Sequence, residues 1–145
     1  MLAADVLGRI CHPTNYRDVQ EWFRAMLARG AAAPEIIVSV LSDYELRRTL
    51  VDMHADESLR QLDEFSRTLR YVPVTAEAAR VAVQLRRTLS GPARGKLSDA
   101  DLLVAAQASI EGAVLVTNDV DLRGIPGLSA KEWNEIAIAP PDAAT

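Results

Sequence analysis

Four acidic residues in separate segments are the part of this chain whose types and spacing could do chemistry. Asp5, Glu45 and Asp119 each lie in or just after an apolar run, and Asp101 opens an apolar stretch. In a parallel sheet the carboxyl ends of the strands meet at one edge, so acids from such segments are expected to converge. Mg²⁺ and Mn²⁺ prefer carboxylate oxygens, whereas Zn²⁺ usually recruits His or Cys. Because the chain has two His and one Cys, the pattern predicts a Mg²⁺ or Mn²⁺ site.

A metal held in this way favours one class of reaction. It can lower the pKa of a bound water, orient a phosphodiester and neutralise charge on the leaving oxygen. A carboxylate that does not bind the metal can deprotonate the attacking water. The four acids therefore indicate metal-assisted hydrolysis of a phosphoester.

Each acid also has a simpler interpretation when it is taken alone. Asp119 fits a turn after a strand, and Glu45 fits an exposed helical residue. Asp101 fits a helix-capping acid, although its place directly before an apolar run favours a site role. For Asp99 and Asp121 the cap and turn interpretations are preferred, with Ser98 or Asp99 as the helix cap.

Strands and helices alternate along the chain, and this alternation must position the acids. Strands are predicted at 2–7, 35–41, 71–74 and 113–117; helices are predicted at 15–28, from Ser42 or Asp43, at 56–70, from 75–77 to Leu89 and from Ser98 to Gly112, with a short apolar piece at 133–138. The helix after Ser42 is expected to have an apolar face of Tyr44, Leu46, Leu50, Val51 and Met53.

This order predicts an α/β fold in three layers, with a mainly parallel central sheet of four to five strands. The length fits a single domain over residues 1–138, followed by a flexible tail over residues 139–145.

Composition narrows the classes of function. The net charge of −4 argues against nucleic-acid binding through overall charge, although several arginines are clustered locally. No apolar run approaches the ~20 residues that span a bilayer, and the start of the chain does not fit a signal peptide. The single Cys11 excludes an internal disulfide. A cytoplasmic protein without a membrane partner is expected.

The acidic segments resemble the motifs of PIN-domain ribonucleases, in particular the VapC-type toxins of toxin–antitoxin pairs. Four segments carry the resemblance in the family's order: residues 2–7, 43–48, 101–106 and 116–122, the last followed by Ile125-Pro-Gly-Leu128 and Trp133. Asp101-Leu-Leu-Val-Ala-Ala106 matches most closely.

The resemblance implies a Mg²⁺- or Mn²⁺-dependent endoribonuclease in which metal-bound water attacks an RNA phosphodiester in line. Asp101 would be a metal ligand, Glu45 would help to hold metal or water, and Asp119 would complete the cluster. It further implies a homodimer and a cognate antitoxin that blocks the site. The candidate substrate contacts are Thr117, Asn118, Arg47 and Arg48; for the two arginines a structural role is equally open.

The opening segment departs from the family pattern, in which the first acid lies three residues before a valine. Counting back from Val6 reaches Ala3, and Asp5 falls on the following Asn/Asp position. Two explanations remain open. Either Asp5 binds the metal in place of the missing first acid, since residues two apart on a strand share a face, or the metal site is weakened.

A weakened site leaves a second function open, that of a catalytically decayed module that binds antitoxin or RNA without cleaving. A small-molecule phosphohydrolase is a poorer fit, because Asp5 is followed by Val-Leu-Gly rather than by a second acid.

Overall fold

The computed structural model describes residues 1–138, so the predicted tail over residues 139–145 lies outside the described residues. The elements in chain order are α1 (Ala4–Ile10), α2 (Arg17–Ala28), β1 (Ile37–Ser39), α3 (Val40–Asp52), α4 (Asp56–Ser66), β2 (Arg70–Val72), α5 (Ala76–Thr88), α6 (Ala93–Lys96), α7 (Asp99–Ile110), β3 (Leu115–Val116), α8 (Val120–Arg123) and β4 (Ala130–Lys131). Short 3₁₀ turns occupy Gly30–Ala32 and Trp133–Glu135.

The strands are short and parallel, and the first residues of the chain join them into one sheet. β1 pairs with β2, and β3 pairs with β4. Leu2 forms parallel bridges to both Val38 and Val116. Its N–H donates to the Ile37 carbonyl at 2.9 Å, and the N–H of Ala3 donates to the Val116 carbonyl at 3.0 Å. The order is thus β2, β1, Leu2, β3, β4, which confirms the predicted parallel α/β fold.

The strand predicted at 2–7 is wrong beyond Leu2, because helix α1 begins at Ala4. Val6, Leu7 and Ile10 are buried in that helix, and their spacing of one, three and four residues is helical rather than alternating. The chain therefore turns from extended to helical just after Ala3.

The second predicted strand, 35–41, is also shortened, and the predicted cap is wrong. Helix α3 begins at Val40, and the Ser39 side chain caps it by accepting a hydrogen bond from the Leu41 N–H. Ser42 is the third residue of this helix and is buried. A serine that closes a β-branched run is a favourable N-cap, and it ended the strand earlier than the run of apolar residues suggested.

The predicted apolar face of α3 is correct only in part. Leu46 and Leu50 are buried, but Tyr44, Val51 and Met53 are 61%, 56% and 70% exposed. Val40, Tyr44 and Val51 lie four and seven residues apart, so they share one face of the helix, and that face is turned to solvent.

Helices cover both faces of the sheet and give the three layers. Buried residues of α5 and α7 pack on one face, with Ala82, Val104 and Ala105 among them. Buried residues of α1, α2, α3 and α4 pack on the other face, with Phe23 and Leu62 fully enclosed. No helix within residues 1–138 has the length and apolar character needed to cross a membrane.

Gln107 is a buried polar residue that ties α7 to the sheet. Its side-chain oxygen accepts a hydrogen bond from the Ser39 hydroxyl, and its amide nitrogen donates to the Val72 and Pro73 carbonyls at 3.0 and 2.9 Å. The contacts join α7 to the ends of β1 and β2. No local pattern indicates these contacts, since Gln107 lies inside an apolar helix run.

Replacing Gln107 should therefore destabilise the fold. Gln107→Leu leaves the Ser39 hydroxyl and two carbonyls without this partner, and a buried polar group left unsatisfied costs about 1–3 kcal/mol. We expect the free energy of unfolding in urea to fall by about 2–4 kcal/mol.

Gln84→Leu is the matched control, because Gln84 is exposed on α5, and surface substitutions change stability by about 0.5 kcal/mol or less. Equal urea midpoints for the two variants would contradict a tie through Gln107.

Candidate functional site

A cleft of about 180 Å³ opens at the carboxyl edge of the sheet and holds all four acids that the sequence singled out. Its lining comprises Ala3, Ala4, Asp5, Ser42, Glu45, Asp101, Val104, Thr117, Asp119 and Leu122. The acids reach it from α1, α3, α7 and the turn after β3. Ser42 was missed as a lining residue; its place three residues before Glu45, on the same side of α3, was the available signal.

Asp5 is held by the turn that follows β3. Its Oδ1 accepts a hydrogen bond from the Thr117 hydroxyl at 3.2 Å. Its Oδ2 accepts from the backbone N–H and the side-chain amide of Asn118, at 2.8 and 3.1 Å. A carboxylate offers about four lone-pair sites, so three donors leave little free capacity. Asp5 thus fixes the position of the turn.

The same contacts place two of the candidate substrate residues. Thr117 is fully buried, lines the cleft and accepts a hydrogen bond from the Asp119 N–H at 3.1 Å. Asn118 uses its side chain on Asp5. Both residues therefore shape the turn that presents Asp119.

Asp101 has a capping role and a place in the cleft at once. Its Oδ2 accepts hydrogen bonds from the N–H and the hydroxyl of Ser98, each at 2.8 Å, and the Ser98 hydroxyl oxygen accepts one from the Asp101 N–H. This reciprocal capping box starts α7 and fixes the Asp101 rotamer. Its Oδ1 carries none of these bonds. Asp99 does not cap the helix; its side chain is 95% exposed and lies 3.6 Å from Arg86.

Asp119 is the N-cap of the short helix α8, where its Oδ1 accepts a hydrogen bond from the Asp121 N–H at 2.8 Å. Its Oδ2 is not used in that cap. Asp121 is a half-buried residue of the same turn, with Lys96 at 3.7 Å. Asp119 lines the cleft and Asp121 does not.

The surroundings of Glu45 in the cleft disfavour the ionised form of its carboxyl group. Burial and the nearby negative charge of Asp101 raise the pKa of the Glu45 carboxyl, and the positive charge of Arg48 opposes that rise. Glu45 and Asp101 are therefore close enough to interact electrostatically.

The two candidate arginines lie in different surroundings. Arg47 forms ion pairs with Asp43 and Asp63 at 2.7 and 2.6 Å, which link α3 to α4 away from the cleft. The structure thus gives Arg47 a structural role. Arg48 is exposed and lies near Glu45, and it has no carboxylate within ion-pair distance among residues 1–138. Arg48 is the better placed of the two to meet a phosphate.

Ala3 is the residue at which the sequence resemblance predicts the first acid of the motif. It is 5% exposed, lines the cleft and is the N-cap of α1 with extended backbone angles, φ −77° and ψ 162°. These angles suit an aspartate cap, but the alanine side chain supplies no hydrogen bond to the helix. A methyl group, which cannot bind a metal ion, thus lines the cleft at this position.

The carboxylate oxygens of the cleft are the type of ligand that Mg²⁺ and Mn²⁺ prefer. They are not arranged as a preformed site that encloses a metal ion. Within the described part of the chain, no three His, Cys, Asp or Glu side chains lie close enough together to hold one metal ion. Mg²⁺ commonly binds one or two carboxylates and takes its other ligands from water and substrate phosphates. The interacting pair Glu45 and Asp101 fits that smaller requirement.

The family model described as the PIN domain matches residues 13–128, which is more than half of the chain. The matched region begins ten residues after Ala3. No curated protein matches the chain.

Two crystal structures share the fold. VapBC2 from Rickettsia felis, bound to a DNA fragment from their promoter, has a chain with a TM-score of 0.74 and 22% identity, over 92% of this chain and 97% of that one. FitAcB from Neisseria gonorrhoeae has one with a TM-score of 0.69 and 15% identity, over 93% and 98% of the respective chains. At these identities the likeness concerns the fold.

The raised pKa of Glu45 has a consequence for stability. Because the folded state disfavours ionised Glu45, that group costs stability once the pH exceeds the ordinary glutamate pKa of about 4.3. Glu45→Gln removes the charge, so in EDTA at neutral pH its Tm should be higher than that of the unmodified chain. The gain should be below about 1 kcal/mol, since the carboxyl is largely solvated. It should shrink to nothing below about pH 4.

Glu21→Gln provides the control, since Glu21 is exposed on α2 and lies outside the cleft. A Tm difference that is the same at pH 4 and pH 7 would rule out the electrostatic cause.

Proposed function

Because this chain belongs to the PIN domain family, a family of nucleases, we propose that it is a metal-dependent endoribonuclease. It hydrolyses RNA phosphodiester bonds and acts as the toxin of a toxin–antitoxin pair. Its metal affinity is weakened by the alanine at position 3.

One observation carries this proposal. Asp5, Glu45, Asp101 and Asp119 come from four separated segments and line a single cleft at the carboxyl edge of a parallel sheet. Carboxylates repel one another, so a fold that gathers four of them without an arginine or lysine in the cleft lining favours a bound cation.

The residues divide into different tasks. Glu45 and Asp101 would hold Mg²⁺ or Mn²⁺, which supplies a water of lowered pKa and offsets charge on the phosphate. Where Glu45 holds the attacking water instead of the metal, its carboxylate can accept the proton of that water. Asp119 would complete the charge of the site, directly or through water. Asp5 would orient the turn that carries Asp119, and Arg48 would bind a substrate phosphate.

Two observations favour the alternative of a decayed module that binds without cleaving. Ala3 removes one acid from the cleft, and the two oxygens of Asp5 are already occupied by Thr117 and Asn118. Asp5 is thus poorly free to replace the missing ligand. Whether the chain cleaves RNA decides between the two functions.

An exposed apolar stripe supports a protein partner, for which an antitoxin or a second copy of this chain is proposed. Val40, Tyr44 and Val51 are 38%, 61% and 56% exposed on one face of α3. Exposed apolar residues gathered on one face are typical of interaction surfaces. The stripe lies on the helix that also carries Glu45, so a partner bound there would lie beside the cleft.

Ala3→Asp should strengthen metal binding and raise RNA cleavage. The new carboxylate adds a ligand at the cleft and a cap for α1. We expect Mn²⁺ affinity to rise by about tenfold or more, since even residues that only orient metal ligands change affinity about 10–100-fold. Isothermal titration with Mn²⁺ and cleavage of a mixed RNA pool measure both effects.

Ala3→Asn is the matched control, because it is nearly the same size and caps the helix without a charge. A rise in Mn²⁺ affinity that Ala3→Asn reproduces, or no rise at all, would contradict a missing metal ligand at position 3.

Cleavage by the unmodified chain should be slow, stopped by EDTA and abolished by Asp101→Asn. Asp99→Asn, which removes the neighbouring exposed acid of the same helix turn, should leave the rate within about twofold, because Asp99 lies outside the cleft. RNA fragments that persist in EDTA would contradict the metal-dependent mechanism. No cleavage at saturating Mn²⁺ would favour the binding module.

The toxin assignment has its own test in the neighbouring gene. We expect a small upstream reading frame with a DNA-binding start, whose product co-purifies with this chain and inhibits its cleavage of RNA. Tyr44→Ser on the exposed stripe should weaken this association, whereas Thr49→Ser on the same helix should not. Undiminished association of Tyr44→Ser would exclude the stripe as the partner surface.

A further inference from the structure

A second pocket, away from the acidic cleft, combines positive charge with aromatic rings. It has a volume of about 320 Å³ and lies between the end of α1, the start of α2 and the 3₁₀ turn after β4. Its lining comprises Arg9, Tyr16, Arg17, Asp18, Val19 and Trp133. None of these residues has a role in the cleft.

Tyr16 is held in an unusual conformation at the rim of this pocket. Its φ of +63° is in the left-handed region, which is uncommon for a bulky residue and marks stored strain. The ring is nonetheless 48% exposed, so burial of the ring does not compensate for that strain. The Arg9 guanidinium lies 5.2 Å from the ring centroid, and the His12 ring meets it edge-on at 5.4 Å.

Several hydrogen bonds hold the loop that carries Tyr16. The Gln20 side-chain amide donates to the Arg9, His12 and Asn15 carbonyls, at 3.3, 2.5 and 3.1 Å. His12 Nδ1 accepts hydrogen bonds from the N–H groups of Thr14 and Asn15, at 3.3 and 3.1 Å. The fold thus keeps the tyrosine ring exposed and preorganised.

The pocket also has free capacity for an anion. Arg9 and Arg17 have no carboxylate within ion-pair distance among the residues that the structure describes. Tyr16 is the N-cap of α2, and its side chain makes no hydrogen bond to the first N–H groups of that helix. The Asp18 carboxylate is the opposing charge in the lining.

The pocket and the cleft lie along one helix. Arg9 follows Asp5 by four residues in α1, so the two side chains lie on the same face, about 6 Å apart along the axis. A nucleic-acid strand with a phosphate at the cleft can therefore extend along α1 toward Arg9.

We propose that the pocket formed by Arg9, Tyr16, Arg17 and Trp133 binds an unpaired nucleotide of the RNA substrate, with the arginines on its phosphate and the aromatic rings on its base. Aromatic rings beside positively charged side chains are the usual means of holding single-stranded nucleic acid. Here Tyr16 is exposed, and Trp133 is partly buried in the lining of the pocket. An acidic peptide would form ion pairs with the arginines, but it would not require the exposed, strained Tyr16 ring. The inference rests on the proposed function for the nature of the substrate.

Binding of a short, unpaired, fluorescently labelled RNA in EDTA tests the pocket without cleavage. Tyr16→Asn retains a residue that tolerates the left-handed conformation and caps a helix, but it removes the ring. We expect it to lower RNA affinity about tenfold, the size of one lost base-stacking contact. Arg9→Gln and Arg17→Gln should each weaken binding and reduce the slope of log affinity against log salt by about 0.7.

Two further variants and a fully paired RNA provide the comparisons. Arg24→Gln removes an exposed α2 charge outside the pocket and should change little, whereas Asp18→Asn should raise affinity because it removes the opposing charge. Fully paired RNA should bind more weakly than the unpaired probe.

Several results would overturn the proposal. These are equal RNA affinities for Tyr16→Asn and the unmodified chain, equal losses for Arg24→Gln and Arg17→Gln, no RNA binding in EDTA, or binding of an acidic peptide by a chain that binds no RNA. RNA binding through the pocket without cleavage in Mn²⁺ would contradict the nuclease and leave this inference intact. If the pocket variants cleave and bind RNA as the unmodified chain does, the nuclease function stands and this inference is contradicted.

Discussion

The hydrogen bonds made by the first three residues hold the sheet together, and the cleft depends on them. Leu2 donates to the Ile37 carbonyl on one side, while Val116 donates to Met1 and Ala3 donates to Val116 on the other. Without this central segment the pairs β1–β2 and β3–β4 would have no bonded strand between them. The starts of α1 and α3 and the turn after β3 share one edge because these bonds align them. The acids that those elements carry meet for that reason.

The same alignment places the side chain of residue 3 at the cleft. Ala3 belongs to the central segment and is also the N-cap of α1, so its side chain has no freedom to lie elsewhere than at the cleft. Asp5 lies one step into the helix and already serves the turn through Thr117 and Asn118. The sequence left open whether Asp5 replaces the missing acid or the site is weakened. The structure favours the second explanation, because the Asp5 carboxylate already accepts hydrogen bonds from Thr117 and Asn118.

Asp101 and Asp119 each cap a helix and also line the cleft. Asp101 caps α7 through Ser98 and lines the cleft with Glu45, while Asp119 caps α8 and lines it from the other side. A cap fixes the rotamer of a carboxylate at a helix start, and helix starts cluster at the carboxyl edge of a parallel sheet. The hydrogen bonds that stabilise the helices thus also orient the acids, which would reduce the conformational entropy lost in the proposed binding of a cation.

The sequence by itself determined the alternation of helices and strands, the parallel sheet and the four acids that would share its edge, because periodicity and strand order are local properties. It also located α2, α5 and α7 to within two residues at each end. Only the tertiary structure decided that the first strand shrinks to Leu2, that Arg47 pairs with Asp43 and Asp63, and that Tyr44 faces solvent. Asp5 and Asn118 are 113 positions apart, and no local pattern reports a hydrogen bond over that separation. The strained Tyr16 beside Arg9 was invisible for the same reason, since backbone angles depend on the contacts that enclose a loop.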